Sequence, residues 1–158
     1  MPARASRQTY GGREPCASAG IYWKRVNEPG KEMNVKAMSD KAERKGFSKA
    51  DEVRNFPKGK VELVTIGGAT IGRATLEPGW RWSTSVQPLA NTKSCEAPHF
   101  QYHVAGTLKI RMDDGTEVVC GPGDVSLLPS GHDAWVVGDE PVVLVDFQGM
   151  VDYAKKAA

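Results

Sequence analysis

From Val61 onward the chain is built of short β-branched and aromatic runs, each closed within a few residues by Gly, Pro, Asp or Asn. Runs of this length cannot mature into helices of three turns, whereas β-branched side chains pack well on a pleated surface. Nine strands are expected: Val61 to Ile66, Ala69 to Leu76, Trp80 to Val86, His99 to Val104, Thr107 to Met112, Thr116 to Cys120, Asp124 to Leu128, Ala134 to Val137 and Val142 to Phe147. Asp113-Asp114-Gly115 lies between two of them and predicts a tight two-residue hairpin with positive φ at both central positions. With no long helical period, the chain is all-β, and short strands with tight turns suit a sandwich or jelly-roll barrel.

The chain has 158 residues, enough for one domain with a core that needs no staples. Residues 1–37 mix Gly, Pro, Arg and Ser without a sustained hydrophobic period, and a disordered, flexible leader is expected there. Met33 and Met38 also offer later translation starts, which the mass of the native protein would test. Residues 38–60 are polar and lead into the barrel. Within them Ser48-Lys-Ala-Asp51-Glu52 predicts a short capped helical turn. The barrel is expected over residues 61–149, with a short C-terminal tail over 150–158.

The net charge of +2 conceals an asymmetry: residues 1–60 carry 14 Lys/Arg against 7 Asp/Glu, and residues 61–158 carry 7 against 12. The basic first part lacks a dense Lys/Arg run and an aromatic-interleaved stripe, so no nucleic-acid partner and no membrane partner are expected. No window approaches the roughly 18 apolar residues that span a bilayer, and no signal-peptide core opens the sequence. A soluble, cytoplasmic protein is the expectation. Cys16, Cys95 and Cys120 are an odd number in unrelated contexts, which favours reduced thiols over a disulfide framework.

The residues that carry chemistry lie in Lys93-Ser-Cys95-Glu-Ala-Pro-His99 and at His132. Gly123-Asp-Val-Ser-Leu-Leu-Pro129-Ser-Gly131, followed by His132 and then Gly138-Asp-Glu-Pro141, resembles the second motif of the cupin superfamily. That motif has a Gly, five residues, Pro-x-Gly and a metal-binding His. Here His132 follows Gly131 directly, where the family usually leaves two residues. Counting back from Gly138 returns His132 to the ligand position over a shortened loop. The first cupin motif runs His-x-His, three or four residues, Glu, six residues, Gly. Counting back from Gly106 sets His99 in the place of the Glu, and Lys93-x-Cys95 over His-x-His.

The resemblance spans about residues 65 to 148 and implies a cupin-like jelly-roll β-barrel with a metal held by Cys95, His99 and His132, Lys93 replacing one ligand. Two imidazoles and a thiolate leave one position open, as in catalytic zinc sites. One divalent ion is therefore expected, zinc first, because soft thiolate ligation favours it; iron, manganese and nickel are the other ions that cupins host. The same residues also fit a plain interior, with Cys95 as a small buried hydrophobe and both histidines hydrogen-bonded. Taken singly, each fits that plainer role, and their joint spacing points to metal.

Four further residues are expected to line a small-molecule pocket: Gln101, His103, Trp82 and Trp135. Period two puts Gln101 and His103 on the face of His99. Trp80, Trp82 and Trp135 would supply apolar wall, against the alternative of core packing. Glu96 and Asp133 are candidate orienters of an imidazole, although neighbours in a strand usually point to opposite faces. Arg81 reads as a surface charge, and Asp113 and Asp114 as turn residues. No phosphate loop, dinucleotide fingerprint or serine-hydrolase elbow occurs.

The function expected by analogy with cupins is a small metal-dependent enzyme on a small organic molecule, of oxygenase or isomerase type. The alternatives are a non-catalytic small-ligand-binding or sensor cupin and a metal-free structural barrel. A homodimer is also expected, because cupin relatives often pair and exposed strand edges invite pairing.

Overall fold

The computed structural model describes residues 41–155. The expected leader over residues 1–37 lies outside these residues. Among the described residues nine strands form two antiparallel sheets: β1 Glu52–Phe56, β2 Gly59–Ile66, β3 Ala69–Leu76, β4 His99–Ala105, β5 Thr107–Met112, β6 Glu117–Cys120, β7 Val125–Leu128, β8 His132–Val137 and β9 Val142–Asp146. Six are ordered β1-β2-β3-β9-β4-β7 and three are ordered β6-β5-β8. The inward positions of both sheets meet in one core that includes Val61, Leu63, Ala74, Leu76, Ile110 and Leu144. Antiparallel sheets that face water on one side produce this in-and-out alternation.

The strand expected at Trp80 to Val86 does not form. Only Arg81 retains a strand-like bridge, to Trp135. Two single-turn helices follow, α1 Trp82–Ser85 and α2 Gln87–Ala90. Trp82, Ser85 and Val86 are the buried residues of this turn, and spacings of three and four mark a helix rather than a strand. Asp133 supplies what a helix start needs, its carboxylate accepting the Ser83 backbone N–H at 3.1 Å. Pro88 stands in the first turn of α2, where its missing N–H costs nothing, and Asn91 at φ 55° closes the helix.

The lead-in segment differs as well. The expected helical turn at Ser48 to Glu52 is reduced to a 3₁₀ turn over Phe47–Lys49, and Glu52 opens β1. This strand pairs with β2 along its whole length, from Glu52↔Leu63 to Phe56↔Gly59. Its inward residues are Arg54 and Phe56, so a charge on the buried face breaks the apolar alternation that signals a strand. The hairpin after β5 is a three-residue loop, with Met112 N–H donating to Thr116 O at 2.8 Å. Only Gly115 has positive φ, because the Asp114 carboxylate accepts the Thr116 N–H at 2.8 Å and settles Asp114 in an ordinary turn conformation.

The C-terminal segment folds back on the barrel. Met150 is buried in the core cluster. The Arg54 guanidinium donates to the carbonyls of Met150 at 3.1 Å, Val151 at 2.8 Å and Tyr153 at 2.5 Å. Three backbone acceptors are thereby satisfied by one buried cation, which fixes this strap across one end of the barrel. Among the described residues no helix is long and apolar enough to cross a membrane.

Candidate metal centre

Cys95, His99 and His132 converge, and one donor atom from each lies within 4.8 Å of the other two. All three side chains are buried. Cys95 and His132 are set opposite each other by an isolated antiparallel bridge, with Cys95 N–H donating to His132 O at 2.8 Å and Gly131 N–H to Cys95 O at 2.7 Å. Gly131 at φ 91° makes the turn into β8 that this bridge requires. The shortened loop between Gly131 and His132 is thus a direct entrance into strand pairing. His99 opens β4, and its Nε2 lies 3.5 Å from Cys95 Sγ.

Each imidazole is held from behind. His99 Nδ1 is 2.5 Å from Asp146 Oδ2, and His132 Nδ1 is 2.9 Å from the Pro129 carbonyl oxygen. Ring nitrogens occupied in this way leave the Nε2 atoms for a ligand, the arrangement that orients metal-binding histidines. Asp146 also accepts from Gln101 Nε2 at 3.1 Å and from the Gln148 backbone N–H at 2.8 Å.

Electrostatics follow from this geometry. Burial works to raise the Cys95 thiol, but hydrogen bonds from His132 and then His99 outweigh it and bring the group down to about 6. Burial works against a charged His99, yet the bond to Asp146 and then that to Cys95 lift it to about 9. The pair rests as thiolate and imidazolium near neutral pH. Tyr153 lies edge-on to the His99 ring, with centroids 5.5 Å apart, and burial together with the Cys95 and Asp146 charges pushes its phenol well above the usual value.

A zinc centre with one thiolate and one imidazole at ordinary bond lengths separates S from N by about 3.6 Å at the tetrahedral angle. The observed 3.5 Å matches that edge, and two imidazoles with a thiolate are a donor set that zinc accepts. The buried Cys–His–His group is therefore able to take a metal.

The expected pocket is only partly assembled. Gln101 and Trp82 line an internal cavity of about 30 Å³ beside Cys95, His99 and His132, and Trp80 joins them. His103 faces inward as expected, but its Nε2 pairs with Ser126 Oγ at 2.9 Å and it does not reach the cavity wall. Trp135 faces the other way. It alternates with buried His132, Ala134 and Val136, and its ring takes the guanidinium of Arg81 at 4.8 Å and the ammonium of Lys109 at 5.6 Å. Lys93 is exposed and stands outside the centre.

Neither expected orienter serves an imidazole: Asp133 binds Arg81 and Ser83, and Glu96 is exposed. Asp146 takes that role. Its signal was the alternation Val142, Leu144, Asp146 in β9, which puts a carboxylate in phase with buried residues. Tyr153 had no sequence signal, since the strap that carries it has no regular period.

A wider cleft of about 600 Å³, lined in part by Val86 and Pro98, shares Trp82, Cys95 and Tyr153 with the internal cavity. The centre therefore stands between an enclosed space and an open one.

No protein-family model and no curated protein sequence matches the chain. Solved structures do. A Rhizobium leguminosarum protein of unknown function is 19% identical with a TM-score of 0.50, covering 68% of this chain and 98% of that one. The polyketide cyclase RemF of Streptomyces resistomycificus is 15% identical with a TM-score of 0.48, covering 67% and 78%. A cupin-like protein of Thermotoga maritima is 16% identical with a TM-score of 0.43, covering 72% and 83%. At such identities the likeness is one of fold. The chain thus has an antiparallel two-sheet β fold, which it shares with the Rhizobium leguminosarum structure.

Proposed function

We propose that this protein is a small metal-dependent cupin that acts on a small organic molecule at the Cys95–His99–His132 centre. One observation carries the reading: three buried donor atoms of metal-ligating type lie within 4.8 Å of one another. Zinc is the ion this set favours, with iron, manganese or nickel as alternatives. A bound divalent ion would supply Lewis acidity, and zinc, having no second oxidation state, directs the site to proton-transfer or isomerase-type reactions; oxygenase-type chemistry would call for a redox-active ion such as iron. The chain's own part is to hold the rings through Asp146 and Pro129, to enclose the centre beneath Trp82 and Tyr153, and to admit the molecule from the cleft.

A second reading has its own observation. Apart from the three candidate ligands, Tyr153 is the one titratable side chain on the wall of the internal cavity. A site with so few acid–base groups also suits a non-catalytic binding or sensor protein. Reconstitution with each metal, followed by a turnover screen over small carbonyl and hydroxyl compounds, separates the two. Turnover that requires the metal supports the enzyme; a compound that raises the melting temperature without being converted supports the sensor.

The outer face of β4 and β7 supports a homodimer. Phe100, Tyr102 and Val104 on β4 and Val125 and Leu127 on β7 are exposed, and Leu127 is 71% accessible. An apolar row of this kind beside an edge strand suits pairing with a second copy.

A further inference from the structure

The internal cavity carries unused hydrogen-bonding capacity. Trp80, Trp82 and Gln101 all line it, at 2%, 3% and 5% exposure. Trp80 Nε1, Trp82 Nε1 and Gln101 Oε1 are enclosed and have no protein partner among the described residues. Buried indole N–H groups and amide oxygens are ordinarily paired, because leaving one unpaired costs about 1–3 kcal/mol. The orientation of the Gln101 amide is fixed by chemistry, since Asp146 Oδ2 accepts from Nε2 at 3.1 Å and so turns Oε1 the other way. Two unpartnered donors and one unpartnered acceptor thus belong to side chains that line the cavity beside the candidate metal centre.

Charge narrows what this wall recognises. No Lys or Arg lines the cavity. A carboxylate or phosphate enclosed there would meet no Lys or Arg side chain, and an unpaired buried charge is strongly disfavoured. A neutral group that both accepts and donates is not. The cavity of about 30 Å³ holds only the end of a molecule, and the adjoining cleft, which shares Trp82, Cys95 and Tyr153 with it, takes the remainder.

We propose that Trp80, Trp82 and Gln101 form the recognition wall for a neutral hydroxycarbonyl compound, the carbonyl oxygen accepting from indole N–H and the hydroxyl donating to Gln101 Oε1. This deepens the small-molecule reading above and rests on it.

The test is a ¹H–¹⁵N titration of the full chain, incubated with zinc, using hydroxyacetone, acetone and glycolate as probes, with zinc content measured on the same sample. The indole N–H signals of Trp80 and Trp82 shift and saturate with hydroxyacetone, while that of Trp135 stays still. Acetone, lacking the donor, binds about tenfold more weakly, and the charged glycolate also binds more weakly than hydroxyacetone. In Gln101→Met the gap between hydroxyacetone and acetone closes. Trp80→Phe, which keeps an aromatic ring and loses one donor, weakens hydroxyacetone several-fold and supplies the test if the first variant does not fold. Indoles unmoved by every probe, or glycolate bound most tightly, overturn the inference. One zinc per chain with unmoved indoles defeats this inference and leaves the metal reading standing; moving indoles without zinc do the reverse.

Discussion

Asp146 Oδ2 lies 2.5 Å from His99 Nδ1, and the carboxylate is wholly enclosed. The last strand of the barrel thereby sets the ring that opens β4, and the tautomer and direction of His99 depend on a residue 47 positions away. Asp146→Asn keeps the size and a hydrogen-bond acceptor but removes the charge. Zinc affinity should fall about 10- to 100-fold in this variant, as read by competition with a chelating dye. Unchanged affinity would show that Asp146 does not position the ligand.

The thiolate gives a spectroscopic handle. In chelator-treated protein, the ultraviolet thiolate absorbance of Cys95 should persist down to mildly acidic pH and disappear as pH falls through about 6. The sign follows from the folded state favouring the charged form: a depressed pKa means protonation only at lower pH than in a free cysteine. Cys95→Ala should abolish this step, because burial pushes the Cys120 thiol in the opposite direction. In His99→Gln the step should move upward, since one of the opposing hydrogen bonds is gone while burial remains.

Arg54 holds the strap whose Tyr153 covers the centre. Arg54→Met leaves the carbonyls of Met150, Val151 and Tyr153 without their donor. The expected loss is about 1–3 kcal/mol in urea denaturation. Alkylation of Cys95 by a bulky reagent should also become faster, because the strap walls the cleft beside it. A destabilised variant with unchanged alkylation would mean that the strap does not limit access.

If the outer face of β4 and β7 is where two copies meet, sedimentation at micromolar concentration should give a dimer, and Leu127→Lys should give a folded monomer. Leu127 is 71% exposed in the single chain, so the substitution disturbs no core. A monomer in the wild type would remove the homodimer from consideration.

Where hydrophobic alternation was intact, the fold was legible in the sequence. β3 Ala69–Leu76 and β5 Thr107–Met112 coincide with the runs read from Ile, Val, Leu and Thr spacing. Where tertiary partners decided the conformation, it was not. Trp80 to Val86 has strand-like composition, yet Asp133, fifty residues on, caps a helix there, and no local signal reports so distant a carboxylate. β1 was hidden because Arg54 occupies an inward position that only the strap at Met150 to Tyr153 makes tenable.

The centre divides the same way. Cys95, His99 and His132 were marked by motif spacing, and His99, Gln101 and His103 do share one buried face. Trp135 was misplaced because its closeness to His132 in sequence outweighed the odd–even rule that sends it outward. Asp146 was in phase with its strand's buried residues all along, but a carboxylate at an inward position is recognised only when its partner is known.

The most direct measurement is elemental analysis of the wild-type protein, as purified and after incubation with zinc, beside Cys95→Ala and His132→Ala. About one zinc per chain in the wild type, lost in both folded variants, is the expected result. A wild type that takes up no metal after incubation, or variants that retain it, would contradict a metal centre at Cys95, His99 and His132.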